Sequence, residues 1–164
     1  MEINLLKDKP DLIPKIAKWY SDEWGYIDDG SDKESRSTTA LEIQLAEYLN
    51  SDTIPLMLVA TKNQSLIAAA QLRFQENSRY PSDSHWLGGV YVCESHRGNG
   101  AGQALIEAIV TKAKQLNVQQ LYLQTEDLSG GLYKKMGWKA VEEVKYCDID
   151  LLIMQRDLLS ISIT

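Results

Sequence analysis

Short apolar runs alternate with amphipathic stretches along the chain, and the two periodicities divide it into strands and helices. Ile3–Leu6 predicts a first strand. Pro10–Trp24 then carries Ile13, Ile16, Ala17 and Tyr20 at helical spacing, with Pro14 near the first turn, where a missing amide is tolerated. Between Trp24 and Ser37 the glycines, aspartates and serines predict a loop. A second helix is expected over Thr38–Leu49, capped by Ser37 or Thr38, with Leu41, Leu45 and Leu49 on one face. Pro55–Thr61 and Leu66–Phe74 predict strands around a turn at Lys62-Asn63-Gln64, and the polar stretch Gln75–Ser84 predicts a loop.

The second half continues the alternation. Leu87–Val92 is an apolar run, and after it Ala101, Leu105, Ile109, Ala113 and Leu116 recur at spacings of three and four, which predicts a helix. Val118–Leu123 predicts a short buried strand, and Lys139–Tyr146 and Ile149–Arg156 a closing pair. The resulting order is β-α-α-β-β-β-α-β-α-β-β, without an internal repeat or a low-complexity tract.

Between the apolar run and the next helix lies Arg97-Gly98-Asn99-Gly100-Ala101-Gly102. Glycines let a backbone take positive φ and approach a ligand closely, and the first amides of a helix lack intrahelical acceptors. With the positive end of the helix dipole, such a turn suits a pyrophosphate, and Arg97 adds a cation at its rim. No Gly-Lys-Ser or Gly-Lys-Thr comes after it, which excludes a P-loop. A dinucleotide fingerprint needs Gly-x-Gly-x-x-Gly and an acid about 20 positions on, whereas Gln103 replaces the third glycine here and Gln119-Gln120 falls near the acid's place.

What remains is an Arg/Gln-x-x-Gly-x-Gly/Ala pattern, and with it the chain resembles the GNAT superfamily of acyl-CoA-dependent N-acetyltransferases. Leu87-Gly88-Gly89-Val90-Tyr91-Val92-Cys93-Glu94 is similar to that family's fourth strand, and Leu132-Tyr133-Lys134-Lys135-Met136-Gly137-Trp138 to its Leu-Tyr-x-Lys-x-Gly-Phe motif. The resemblance implies a single domain over residues 1–164, with a mixed, mostly antiparallel α/β sheet of about seven strands and about four flanking helices. It also implies acetyl-CoA as co-substrate and transfer of acetyl to a primary amine by direct attack. Arg97, Gly98, Asn99, Gly100, Ala101 and Gly102 would cradle the pyrophosphate, main-chain groups at Tyr91 and Val92 would meet the pantetheine arm and the acetyl carbonyl, and Tyr133 would be the catalytic acid. A phenol of reference pKa about 10 is protonated at neutral pH and suits that role. Gly88-Gly89 fits either a strand bulge or relief of crowding.

The attacking amine must lose a proton, since alkylamines have a reference pKa of about 10.4. No carboxylate lies between His85 and Cys93, where many relatives carry a glutamate, so the base is Glu76, His85 or a relay through water, with the relay favoured. Glu126 and Ser129 also depart from the family's Asn and Ala. The acceptor is expected between the first two helices and the last strand pair. There Trp24, Tyr26, Asp28, Asp29 and Asp32 form an aromatic and acidic wall that Glu142, Glu143 and Tyr146 would close, with Glu76 and His85 nearby.

Composition narrows the setting. The 164 residues are 44% apolar and 24% charged, ordinary values for one globular domain. The net charge of −6 opposes a general nucleic-acid or anionic-membrane surface and suits cationic substrates. The start of the chain has no secretory pattern, and no apolar run is long enough to span a membrane, which predicts a cytoplasmic protein acting as monomer or homodimer. Cys93 and Cys147 are expected as reduced thiols, Cys93 as a packing residue rather than a nucleophile, and no metal is expected. The alternative function is a non-catalytic acyl-CoA-binding or regulatory module, against which Tyr133 speaks.

Overall fold

The computed structural model describes residues 1–25 and 37–158. Seven strands and four α-helices come in the predicted order: β1 (Glu2–Leu5), α1 (Ile13–Trp24), α2 (Thr38–Ala46), β2 (Leu56–Lys62), β3 (Ser65–Phe74), β4 (His85–Val92), α3 (Ala101–Gln115), β5 (Gln120–Thr125), α4 (Gly131–Lys135), β6 (Lys139–Tyr146) and β7 (Ile149–Asp157). The strands form one sheet in the order β1-β2-β3-β4-β5-β7-β6. Every neighbouring pair is antiparallel except β4 and β5.

Local chemistry explains the element ends. Pro10–Leu12 form a 3-10 turn before α1, so the helix begins three residues later than its apolar spacing predicts, with Pro14 in its first turn. The Ser37 hydroxyl accepts from Ala40 N–H at 3.2 Å and caps α2. That helix ends at Ala46 rather than Leu49, and the Asn50 amide donates to the carbonyls of Glu47 and Pro55 beyond it. The β2–β3 turn places Asn63 and Gln64 at φ 51° and 66°, the left-handed pair of a type I′ hairpin.

Alternation along the strands sends side chains to two faces. Leu58, Ala60, Ala68, Ala70, Leu72, Leu87, Leu121 and Leu123 pack under α3 through its Leu105, Ile106, Ile109 and Val110. On the opposite face Met57, Val59 and Ala69 meet Ile16, Ala17 and Tyr20 of α1 and Leu45 of α2. That helical cover stops short of the second half of the sheet. There Trp86, Val144, Leu151 and Ile153 are roofed by Tyr80, whose ring meets Trp86 edge-on at 5.1 Å.

Two irregularities in β4 open the middle of the sheet. Ala69 opposes Tyr91 and Gln71 opposes Gly88, so β4 carries one extra residue across Gly89 and Val90, a bulge, with Gly89 at φ 54°. On its other side β4 pairs with β5 at a single register position, Trp86 opposite Tyr122. Beyond that position the two strands run on in the same direction without pairing.

Leu105 is fully buried at the centre of α3, whereas Ile43 on α2 is 67% exposed. Leu105→Ala is expected to cost about 2–5 kcal/mol of unfolding free energy in urea titrations, and Ile43→Ala less than about 0.5 kcal/mol.

Candidate active site

A cavity of about 690 Å³ lies at the opening, between α1 and α2 on one side and the β6–β7 hairpin on the other. Its floor is the bulged part of β4 with the end of β5, and Tyr133 reaches it from α4. Alternation on β3 turns Gln71 and Arg73 into it, opposite to the Leu72 side chain beneath α3.

The paired glycines serve both purposes that the sequence leaves open. Gly89 takes the bulge conformation, and a Cβ there would lie 2.6 Å from the Tyr20 hydroxyl. A Cβ on Gly88 would lie 2.9 Å from a Glu76 carboxylate oxygen. The Tyr20 hydroxyl donates to the Gly89 carbonyl at 2.6 Å, which ties α1 to the bulge. Burial and the neighbouring Tyr48 keep that phenol protonated far above its ordinary range.

Beyond the bulge, Cys93 N–H donates to Ile67 C=O at 2.8 Å. Successive amides of a strand point to opposite sides, so of the two expected positions the Tyr91 amide is turned to β3 and the Val92 amide away from it. Tyr91 contributes its ring instead, 4.8 Å from Trp19 and 5.4 Å beneath the Arg97 guanidinium. Arg97 Nε donates to Val92 C=O at 2.8 Å, which holds the arginine against the strand with its terminal nitrogens unbonded among the described residues.

Gly98 and Gly100 sit at φ 81° and 83°, and a Cβ on either would meet nothing within 4 Å, so the turn presents open backbone. Gly100 precedes α3 without a side-chain cap, leaving the first amides of the helix to water or a ligand. Gly102 differs: it is helical, and a Cβ there would press within 3.2 Å of Val92.

Glu76 is the cavity carboxyl whose proton affinity burial raises. It is partly buried, makes no hydrogen bond or ion pair among the described residues, and desolvation raises its carboxyl from 4.5 to about 7, against a lowering pull from Arg73. Tyr133 is raised to about 12, first by burial and then by the negative charge of Glu76. The loop that carries Glu76 is braced by a Gln75 amide donating to Tyr80 C=O at 2.9 Å and an Asn77 amide donating to Gln124 at 3.3 Å.

Other expected residues divide. Trp24 and Tyr146 line the cavity. His85 does not; it stands at the start of β4 with its ring 5.2 Å from Phe74, and burial lowers its pKa. The Glu142 carboxylate accepts from the Tyr80 hydroxyl at 2.6 Å, and neither it nor Glu143 lines the cavity. Tyr26, Asp28, Asp29 and Asp32 lie outside the described residues. Cys93 packs against the core under α3, its sulfur 3.1 Å from His96 Nδ1 and away from the cavity lining. Sequence reading missed Tyr48, Gln71, Arg73 and Gln124; the usable sign was Gln71 and Arg73, polar residues at alternate positions of an apolar strand.

Residues 13–138 match the acetyltransferase (GNAT) family. The chain belongs to that family. A GNAT fold is also what solved structures share with it. An aminoglycoside 6'-N-acetyltransferase complexed with coenzyme A is 14% identical, covers 98% of each chain and superposes with a TM-score of 0.71. A ribosomal-protein-alanine N-acetyltransferase from Brucella melitensis is 21% identical over 96% of this chain and 99% of its own, with a TM-score of 0.68. The protein yncA from Salmonella typhimurium, solved with its cofactor acetyl-CoA, is 18% identical over 99% and 96%, with a TM-score of 0.67. A search of curated proteins found no match to the sequence. Among the described residues of this GNAT protein no helix is long and apolar enough to cross a membrane.

The raised Glu76 pKa fixes a sign for stability. The folded state holds a proton that the unfolded chain releases near pH 4.5, so this carboxyl withdraws stability as pH rises from about 4.5 to about 7 and changes nothing further above it. Glu76→Gln is expected to flatten that decline in urea midpoints measured across the interval, and carbon NMR of the wild-type carboxyl is expected to titrate near neutrality.

Proposed function

We propose that this GNAT protein is an N-acetyltransferase that moves acetyl from acetyl-CoA to a primary amine by direct attack, and that Glu76 and Tyr133 are its base and acid. The observation that carries this reading is that both groups line one cavity where β4 leaves β5, with Glu76's charge acting on the Tyr133 phenol.

The residues present suit acetyl-CoA. The open glycine backbone at Gly98 and Gly100, the uncapped start of α3 and the terminal nitrogens of Arg97 form an anion cradle for the pyrophosphate, and Asn99, Ala101 and Gly102 belong to the same turn. The Val92 amide, turned away from β3, is the main-chain donor for the pantetheine arm or the acetyl carbonyl. When bound, acetyl-CoA supplies an acetyl group activated as a thioester.

Glu76 takes the proton that the amine nitrogen must lose. A carboxyl titrating at about 7 is half ionised near neutral pH, and its proton affinity there far exceeds that of an ordinary carboxylate. The amine nitrogen gains a bond to the acetyl carbon, the carbon–sulfur bond breaks, and Tyr133 gives its proton to the leaving sulfur. Burial first and the charge of Glu76 second hold Tyr133 protonated, and neutralisation of Glu76 by the amine's proton removes the second of these. Glu76 thereby takes the role for which the sequence alone favours a water relay.

Small amines and peptide amines are both acceptors in the chemistry named for the similar structures, one an aminoglycoside enzyme and one acting on a ribosomal-protein alanine. The test is mass spectrometry of an amine and peptide panel incubated with acetyl-CoA, with acceptor-free controls. Acetyl-CoA binding with no acetylated product across the panel favours a binding module instead. Tyr133→Phe is expected to lower turnover at least roughly tenfold with acetyl-CoA affinity nearly unchanged. Glu76→Gln is expected to lower kcat by roughly a hundredfold and to remove the rise of kcat with pH around neutrality; a retained pH limb reassigns the base.

A further inference from the structure

The extra residue in β4 decides which amides of that strand face β3, and the hydrogen bonds on either side of it record the change. Before the bulge, Gln75 N–H donates to Ser84 C=O at 2.9 Å, and the same register runs through Phe74 opposite His85 to Gln71 opposite Gly88. Even-numbered positions therefore turn their main-chain groups to β3 in this half of the strand. After the bulge, Cys93 N–H donates to Ile67 C=O and Tyr91 lies opposite Ala69, so odd-numbered positions face β3. Carried on without the extra residue, the first register would set Val92 opposite Ile67 and spend its amide there. The direction of the Val92 amide is thus a property of the bulge.

A bulge leaves main-chain groups without ladder partners, and here one of them has a partner of its own. Gly89 C=O accepts from the Tyr20 hydroxyl at 2.6 Å. Tyr20 is buried, and Ile16 and Ala17, one turn earlier, are fully buried against the sheet, so α1 is a firm support for that hydroxyl. Gln71, also buried, donates from β3 to the same phenol oxygen. A Cβ on Gly89 would lie 2.6 Å from the hydroxyl and 2.9 Å from the Gln71 amide nitrogen, so the arrangement requires glycine at 89. The phenol spends its hydrogen on Gly89 and receives a donor on its oxygen, which leaves it no proton for the reaction itself.

We infer that Tyr20 is a positioning residue for acetyl transfer: its hydroxyl, backed by Gln71, pins the bulge at Gly89 and so keeps the Val92 amide aimed at the acetyl carbonyl. This inference rests on the transfer reading and deepens it. Tyr20 acts through Gly89 and not on the reacting atoms. Without the hydroxyl the Gly89 carbonyl loses its donor, and the pairing on both sides of the bulge loosens as the backbone seeks another.

Tyr20→Phe keeps the ring beside Trp24, 5.2 Å away, and removes only the hydrogen bond. Its kcat is expected to fall roughly tenfold with the acetyl-CoA dissociation constant within about twofold, less than the loss of a whole oxyanion donor costs, because the amide is loosened and not removed. Nitrogen-15 resolved hydrogen exchange of the free protein reads the bulge directly. The amides of Gly88 and Tyr91, which flank it and face β3, are expected to exchange at least roughly tenfold faster in the variant relative to those of β2, which report global opening. Gln71→Met is expected to act in the same direction to a smaller degree, and the double variant to match Tyr20→Phe alone, since both changes act through one bond. Unchanged relative exchange at Gly88 and Tyr91 overturns the inference even where kcat falls, because Tyr20 then acts elsewhere. Faster exchange there with an unchanged kcat also overturns it and leaves the transfer reading standing. A wild-type protein that binds acetyl-CoA and acetylates no amine or peptide overturns the transfer reading and, with it, the role assigned to Tyr20.

Discussion

The parting of β4 from β5 is the constraint on which the rest of the site depends. A parallel pair has evenly spaced ladder bonds, and once Trp86 and Tyr122 have met, continuing that ladder would seal the sheet. The bulge at Gly89 and Val90 bends β4 away just after that contact, and the strand keeps its pairing with β3 on the other side. Main-chain groups that a closed sheet would consume are thereby exposed at a place protected by helices on both faces. The Tyr20 hydroxyl on the Gly89 carbonyl takes up one group freed by the bulge, and Arg97 takes up the Val92 carbonyl. The amide of Val92 is turned away from β3.

Much of this architecture is legible in the chain itself. The order of elements, the mixed sheet, the glycine turn and the Tyr133 motif rest on apolar period and on residues whose backbone needs are unusual, since period and positive φ are local properties that a sequence records directly. Helix ends are less legible. The 3-10 turn at Pro10–Leu12 and the early stop of α2 depend on which neighbouring carbonyl a side chain finds, and Asn50 illustrates it by reaching back to Glu47 and forward to Pro55. The cavity is legible only in part. Trp24, Tyr133 and Tyr146 carry chemistry in their identity, whereas Gln71 and Arg73 acquire theirs from the face of β3 they occupy.

Glu76, the proposed base, shows why such a role resists sequence reading. Nothing in a polar loop between two strands distinguishes one glutamate from its neighbours, and its altered proton affinity comes from burial in the fold, against a lowering pull from Arg73. His85, the other candidate, is attractive for its ordinary pKa, and its position beside Phe74 keeps it from the cavity lining. Proximity along the chain to β4 is the wrong measure. A residue on the β3–β4 loop reaches the bulge by folding back over the sheet.

The glycine turn and the cavity are made of different material. The turn is backbone: positive-φ glycines and an uncapped helix start. No single side-chain replacement rewrites a main-chain donor, so the turn is resistant to drift. The cavity wall is largely a collection of side chains on α1, α2 and the ends of β5, β6 and β7, each replaceable without disturbing the sheet. Descent with modification therefore has the cavity wall to work on, and a lineage carrying this fold can change what it acts upon by point substitution while inheriting the group it delivers.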